Sequence, residues 1–268
     1  MNPRRQILLT NDDGIDSPGL WAAAEALSTL GYVHVVAPIE QWSGAGRSLL
    51  GSSDGRIKPQ TLRVHDKDWT IYGVGGTPAQ AVLHGLFELM PTPPDLVVSG
   101  INYGENPGEG ITASGTIGAA LEAASNGFPA LAISLETCPE HYLSLSTDVD
   151  FSAAAHFTHH FARVLLEKPL PADVDVLKIE VPMDATHQTP WKMTRLSRQR
   201  YYRSFKPLRA AWEQPVKFPY ARRDEFDNEP QDTDVYTLRV EHQVAVTPLS
   251  LDFTSRTALM ELQQTFEN

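Results

Sequence analysis

The 268-residue chain holds a single cysteine, Cys138, which excludes an internal disulfide and reads most simply as a reduced thiol in a reducing compartment. Long apolar runs are missing as well: no segment nears the roughly 18 consecutive apolar residues that a membrane span needs. Near the start, Arg4 and Arg5 precede ILL, but Thr10, Asn11 and two aspartates break that stretch at once, so no signal-peptide core is read there. Positive charge is scarce, with 22 Lys and Arg against 33 Asp and Glu and a net charge of -11, which argues against a general affinity for nucleic acid or an anionic membrane. Flexible Gly/Ser linkers and internal repeats are absent too. What these shortages leave is a folded, cytoplasmic, enzyme-sized protein whose 41% hydrophobic content suffices for a substantial core.

The first half alternates β-rich runs with helical patterns. QILLT leads to a helix predicted from about Leu20 to Leu30, then YVHVVA; later WTIYGV precedes a helix from about Pro78 to Met90. The first helix carries Ser17 as expected N-cap, Pro18 at its first position, an apolar face of Leu20, Ala23, Ala24, Leu27 and Leu30, and Gly31 at its stop. DLVVSG, the glycine-rich INYGENPGEGITASG, the small-residue helix TIGAALEAASN, the strand PALAISL, a helix over about Phe151 to Glu167 and the strand VDVLKIEV complete five or six strand–helix pairs. Such alternation predicts an α/β fold with a doubly wound, mostly parallel sheet over about residues 1–182.

Beyond Pro182 the pattern changes. Between Trp191 and Arg223 stand ten Lys or Arg, seven aromatics and one acid, Glu213, and residues 224–234 then supply six acids. This composition predicts extended arms that pair with each other or with a second subunit, and a rim for substrate. VYTLRVEHQVAVTPLSLDFT alternates as strands do, and TALMELQQTF reads as a closing helix. The simplest parse is one domain over 1–268, its core followed by an arm and C-terminal region from about 183.

In a doubly wound sheet, ligands bind beyond the C-terminal strand ends. Four loops fall there: NDDG, PIEQWSGAG, SGINYGEN and ASGT. Asp12 and Asp13, adjacent carboxylates at the end of a buried strand, are costly unless neutralised. A divalent cation would do so, with the Ser43 hydroxyl and the Asn102 carbonyl adding neutral oxygens; such hard donors suit magnesium, manganese or calcium rather than zinc or copper. A capped turn is the plainer account of an acidic pair. Ser114-Gly115-Thr116 opens a helix whose backbone N–H groups and dipole can hold phosphate, although the same residues also serve as an ordinary N-cap.

TNDDGIDSPG, APIEQWSGAGRS, GGTPAQAV, VVSGINYGENPG, SGTIGAALEA and TDVYTLRVEHQVAVTPLSLD, in that order, resemble the SurE (survival protein E) family of metal-dependent nucleoside-monophosphate phosphatases. The resemblance spans nearly the whole chain. It implies a Rossmann-like core with a C-terminal β-hairpin arm region, hydrolysis of nucleoside 5'-monophosphates with 3'-monophosphates and short polyphosphate as further substrates, and homodimers or homotetramers that exchange C-terminal elements. It also implies one divalent cation per subunit, magnesium or manganese, held by Asp12, Asp13, Ser43 and Asn102. Asp12 and Asp13 would be the catalytic carboxylates, with Gly44, Asn106, Ser114, Gly115 and Thr116 lining the phosphate site. Two positions depart from the family pattern: Gln80-Ala81 stand where an acid and often a cysteine follow GTPA, and Glu241-His242-Gln243 where a glycine is common.

The chemistry expected is direct attack by an activated water on a phosphomonoester. One alternative makes an aspartate the nucleophile, which favours two aspartates one residue apart rather than adjacent. Another is a phospho-accepting receiver domain, which wants a third aspartate where DLVVSGIN has Ser99 and Asn102. GVGGTP lacks full dinucleotide-binding spacing, so Thr77 as N-cap before Pro78 is the better account. The nine histidines show no metal spacing, and His159-His160 sit adjacent in a helix, facing different ways. Neither nucleic acid nor membrane is expected as a partner.

Overall fold

The computed structural model describes residues 4–64, 67–142 and 145–267. In chain order its regular elements are β1 (Arg5–Thr10), α1 (Pro18–Leu27), β2 (Gly31–Pro38), β3 (Ile57–Val64), β4 (Lys67–Val74), α2 (Pro78–His84), β5 (Leu96–Tyr103), α3 (Gly115–Ser125), β6 (Ala130–Leu135) and α4 (Ser152–Glu167). They continue with β7 (Val176–Val181), β8 (Trp191–Met193), β9 (Tyr202–Ser204), β10 (Tyr220–Arg222), α5 (Asp234–Arg239), β11 (Val244–Leu249) and α6 (Leu259–Glu267). Nine strands form one sheet in the order β3-β4-β2-β1-β5-β6-β7-β11-β8, and β9 and β10 form a separate hairpin. From β4 to β7 every pairing is parallel; β3 with β4 and β11 with β7 are antiparallel.

The sheet is covered on both faces, which is why its central strands read as unbroken apolar runs. Ile7 and Leu9 of β1 point into the layer formed by α1 and α4, and Leu8 between them points into the layer formed by α2 and α3. The chain leaves β1 for β2 on one side, while β5 lies on the other. The crevice beyond β1 and β5 is therefore the switch point at which open α/β sheets bind ligands.

Several elements differ from the sequence expectation. Helix α1 stops at Leu27, three residues early, where Ser28 Oγ donates to Glu25 O and Thr29 Oγ1 to Ala26 O; side-chain hydroxyls here compete with the helical ladder. Ser17 occupies the N-cap position but its hydroxyl makes no cap and is buried without a partner. Thr77, by contrast, forms a full capping box with Gln80, and α2 runs on into a wide turn over Gly85–Leu89. The segment VYTLRV is helix rather than strand. Thr233 caps it by accepting the Tyr236 N–H, and Val235 and Leu238 share its buried face. The unforeseen β3 is an exposed edge strand with Pro59 inside it, a place where proline is tolerated. Among the described residues, no helix is long and apolar enough to cross a membrane.

Candidate functional site

Asp12 and Asp13 follow β1 after a single residue, Asn11, and are 4% and 2% exposed. Asp12 accepts at Oδ1 a short hydrogen bond from the hydroxyl of Thr116, the second residue of α3. Asp13 accepts the Tyr103 N–H at 3.0 Å and the Gln41 side-chain amide at 3.0 Å, and Gln41 also donates to Tyr142 O at 2.8 Å. Burial raises the pKa of Asp12 against the pull of its Thr116 and backbone hydrogen bonds. Burial and then the charge on Asp12 raise Asp13 well above the carboxylate range. Neutral dipoles alone thus leave the pair under strain, and a cation is what two such carboxylates favour.

The geometry of the neighbouring loops follows from local breaks in the strands. Between Ser99 and Asn102 the register of β5 against β6 shifts, and Gly100 takes φ +132 where a Cβ would meet Ile133 O at 2.3 Å. A bulge of this kind re-aims the side chain that follows it. Asn102 donates one amide N–H to Gly104 O at 2.6 Å, a bond that fixes the side chain and leaves its carbonyl oxygen unused. Helix α3 begins at Gly115 with Ser114 as N-cap, its Oγ accepting the Ile117 N–H. Gly115 packs on Asp12 so closely that a Cβ there would stand 2.7 Å from the Asp12 Cβ.

These loops surround a cavity of about 550 Å³. Asp12, Ser43, Gly44, Asn102, Asn106 and Ser114 all line it. Asp13, Gly115 and Thr116 do not face it; they stand behind Asp12, and hold it, or the strand end next to it, in place. Asn106 donates its side-chain amide to Ser134 Oγ at 3.1 Å. Among the described residues, no group of three or more His, Cys, Asp or Glu is arranged to hold an ion. The donor set is two carboxylates with hydroxyl and amide oxygens, which fits a hard, partly hydrated divalent cation and does not fit zinc or copper.

The opposite wall is aromatic and comes from the arm and from Tyr142, in the loop between β6 and α4. Tyr142, Tyr202, Phe218 and Tyr220 line the cavity with Arg200 and Ser204, and the Tyr202 and Tyr220 rings meet edge to face at 5.9 Å. Glu105, 2% exposed, fastens this wall to the core. It accepts from Tyr201 OH at 2.7 Å, Tyr142 OH at 3.2 Å and Arg222 at 3.2 Å, while its own carbonyl accepts from Tyr202 OH at 2.9 Å. Burial and the Glu105 charge push all three phenols upward, so they stay protonated donors. The sequence reading placed a substrate rim somewhere in Trp191–Arg223 but missed Glu105, Gln41 and Tyr142; a lone acid between Gly104 and Asn106 was the one signal for the first.

The chain is similar to several known proteins. The family model described as "Survival protein SurE" matches residues 7–203. A 5'-nucleotidase SurE of Thermococcus kodakarensis is 42% identical over 266 residues, covering 97% of each chain. That of Thermococcus gammatolerans is 44% identical over 262 residues, 96% of this chain and 94% of that one. The crystal structure of SurE from Aquifex aeolicus superposes with a TM-score of 0.75 at 32% identity, covering 98% of this chain and all of that one.

Proposed function

The chain belongs to the SurE family, and from that premise we propose that it hydrolyses nucleoside 5'-monophosphates to nucleoside and phosphate, with 3'-monophosphates and short polyphosphate as further substrates. The observation that carries this reading is the convergence of Asp12, Ser43, Gly44, Asn102, Asn106 and Ser114 on one cavity at the sheet's switch point. Its volume of about 550 Å³ falls in the range of small-molecule sites, roughly 300–1,000 Å³.

One divalent cation per subunit, magnesium or manganese, would be held by Asp12, Asp13, Ser43 and Asn102, and when bound it supplies charge for the phosphoryl oxygens and a more acidic water. Ser114 stands on the cavity wall at the start of α3, where the positive end of the helix dipole favours a phosphate, while the Gly115 and Thr116 N–H groups are spent on Asp12. Gly44, at φ +81 with open space where a Cβ would be, lets the backbone come close to an oxyanion. Asn106 donates from the other side. Asp12 is the carboxylate on the cavity wall, so it takes the proton of the attacking water; Asp13, behind it, orients the strand end through Tyr103 N and Gln41 and adds the second negative charge that favours a cation. The aromatic wall stacks the base.

Adjacent carboxylates held by different partners support attack by water over an aspartyl-phosphate intermediate, and family membership sets aside a receiver domain. Large apolar side chains left in solvent on the arm and on α6, among them Leu208, Trp212, Leu259, Met260 and Phe266, support a homodimer or homotetramer. The lone cysteine supports a cytoplasmic setting.

The test is phosphate release from a panel of nucleoside monophosphates, with EDTA or with added manganese or magnesium, for wild type and Asp12→Asn. Release that EDTA abolishes and Asp12→Asn reduces at least about 10³-fold is expected, since a group acting in both charge stabilisation and proton transfer is lost. No release from any nucleotide with either cation would overturn the assignment, and trapped acyl-phosphate would replace its mechanism with the covalent one.

A further inference from the structure

Three charges that solvent does not reach lie beneath the loop carrying Asn106. Lys178 of β7 is 1% exposed, and Glu180 of β7 and Asp234 at the start of α5 are fully buried. Lys178 Nζ stands 2.9 Å from Asp234 Oδ2 and 3.1 Å from Glu180 Oε1, the second contact lacking hydrogen-bond geometry. Both carboxylates then reach upward to backbone. Glu180 Oε2 accepts the Asn106 N–H at 2.9 Å, and Asp234 Oδ2 accepts the Gly108 N–H at 2.8 Å. Between those two residues sits Pro107, which has no N–H to offer. Asp234 Oδ1 accepts from Ser197 N and Val235 N at 2.9 Å each, which ties the same carboxylate to the arm and to α5.

Stability alone gives no reason for this arrangement. Three buried charges are commonly less stable than apolar residues of the same volume. An apolar trio, however, would leave two loop N–H groups buried without acceptors and the loop free to move. Charged acceptors hold backbone N–H groups by shorter and stronger bonds than neutral ones do. Lys178 lowers the cost of holding two carboxylates side by side in the core, and its single charge offsets one of the two negative charges that they could project toward a bound phosphate. Its own charge is favoured, since Asp234 and Glu180 outweigh the effect of its burial.

We propose that Lys178, Glu180 and Asp234 form a positioning triad that fixes the 105–108 loop, so that the Asn106 side chain, already braced on Ser134 Oγ, meets the phosphate at one distance and angle. The proposal rests on the reading of Asn106 as a phosphate donor given above. None of the three side chains lines the cavity, so they act through the loop and not on the substrate.

The test uses the full chain and the variants Glu180→Gln, Asn106→Ala and the two combined, with Asp234→Asn as a second probe of the triad should Glu180→Gln fold poorly. Amide hydrogen exchange is followed on residues 104–110, and kcat and KM are measured with a nucleoside monophosphate and manganese. Glu180→Gln is expected to speed exchange of the Asn106 and Gly108 amides with little change elsewhere in the sheet. It is expected to lower kcat/KM about tenfold, the scale of one hydrogen bond to a charged group, but less than about twofold when Asn106 is already alanine, because coupled residues are not additive. Unchanged exchange over 104–110, or an equal loss of kcat/KM in both backgrounds, would overturn the triad's role. A wild type that releases no phosphate would count against the proposed function, while the exchange measurement would still decide whether the triad pins the loop.

Discussion

Replacing Gly115 by alanine adds one carbon atom at the tightest point of the site. A Cβ on Gly115 would lie 2.7 Å from the Asp12 Cβ, 2.8 Å from its Oδ2 and 3.1 Å from its Cγ. Two of those three atoms lie near the root of a short side chain whose Oδ1 is held by Thr116, so Asp12 cannot swing clear as a long side chain would. Either α3 retreats along its axis or Asp12 shifts by several tenths of an ångström. Overpacking of this kind costs about 1–3 kcal/mol, which exceeds the roughly 0.8–1 kcal/mol that alanine gains over glycine in a helix interior. A displacement of about 1 Å at a reacting group costs on the order of 10²-fold in rate, so kcat/KM should fall by about one to two orders of magnitude and the manganese concentration for half-activation should rise. Phosphate release across a manganese titration measures both, and a thermal melt measures the stability cost. Gly51→Ala is the control, since nothing lies within 4 Å of its Cβ position and it stands outside the cavity. Should Gly115→Ala keep wild-type rates and the same manganese requirement, the claim that α3 is seated against Asp12 would fail.

Thr77→Ala removes the side-chain half of a capping box, the Gln80 N–H bond to Thr77 Oγ1, and the Thr77 hydroxyl bond to Ser48 O at 2.6 Å; urea unfolding should show a loss of about 1–2 kcal/mol with catalysis retained. Tyr220 lines the cavity yet is 61% exposed, so Tyr220→Ala should leave the melting temperature alone. Its KM for a nucleoside monophosphate should rise about tenfold, the scale of one stacked base, with no change for a small alkyl phosphate; an equal change for both would remove the stacking role. Burial lifts the Glu180 pKa from 4.5 to about 7 despite Lys178. A carboxyl raised in the folded state contributes stability that is full below about pH 4.5 and is lost as pH rises through about 7. Wild type should therefore lose melting temperature relative to Glu180→Gln between those values, and parallel curves for the two proteins would contradict the shift.

What the sequence could and could not disclose divides along the reach of the interactions. ILL of β1 is apolar at every position because both faces are covered, and Thr77-Pro78 sets α2 through bonds within three residues; each is legible locally. Ser17 carries the right residue type for a cap, but its hydroxyl is turned into the core without a partner, which composition cannot foretell. VYTLRV satisfies an alternating template over six residues, yet Thr233 and the pairing of Asp234 with Lys178 wind it into a helix. The strand β7 shows the same limit at the site itself. In VLKIEV a period of two sends Lys178 and Glu180 to one face, and on an open sheet that face would be wet. Here it is sealed by residues from more than fifty positions later in the chain and by the Asn106–Gly108 loop. The cavity-lining oxygens of Asp12, Ser43 and Asn102 are legible because each sits on a short motif beside its own strand end. The groups that hold those motifs in place come from remote strands and loops, and charge in the core, which a local reading assigns to the surface, is what joins them.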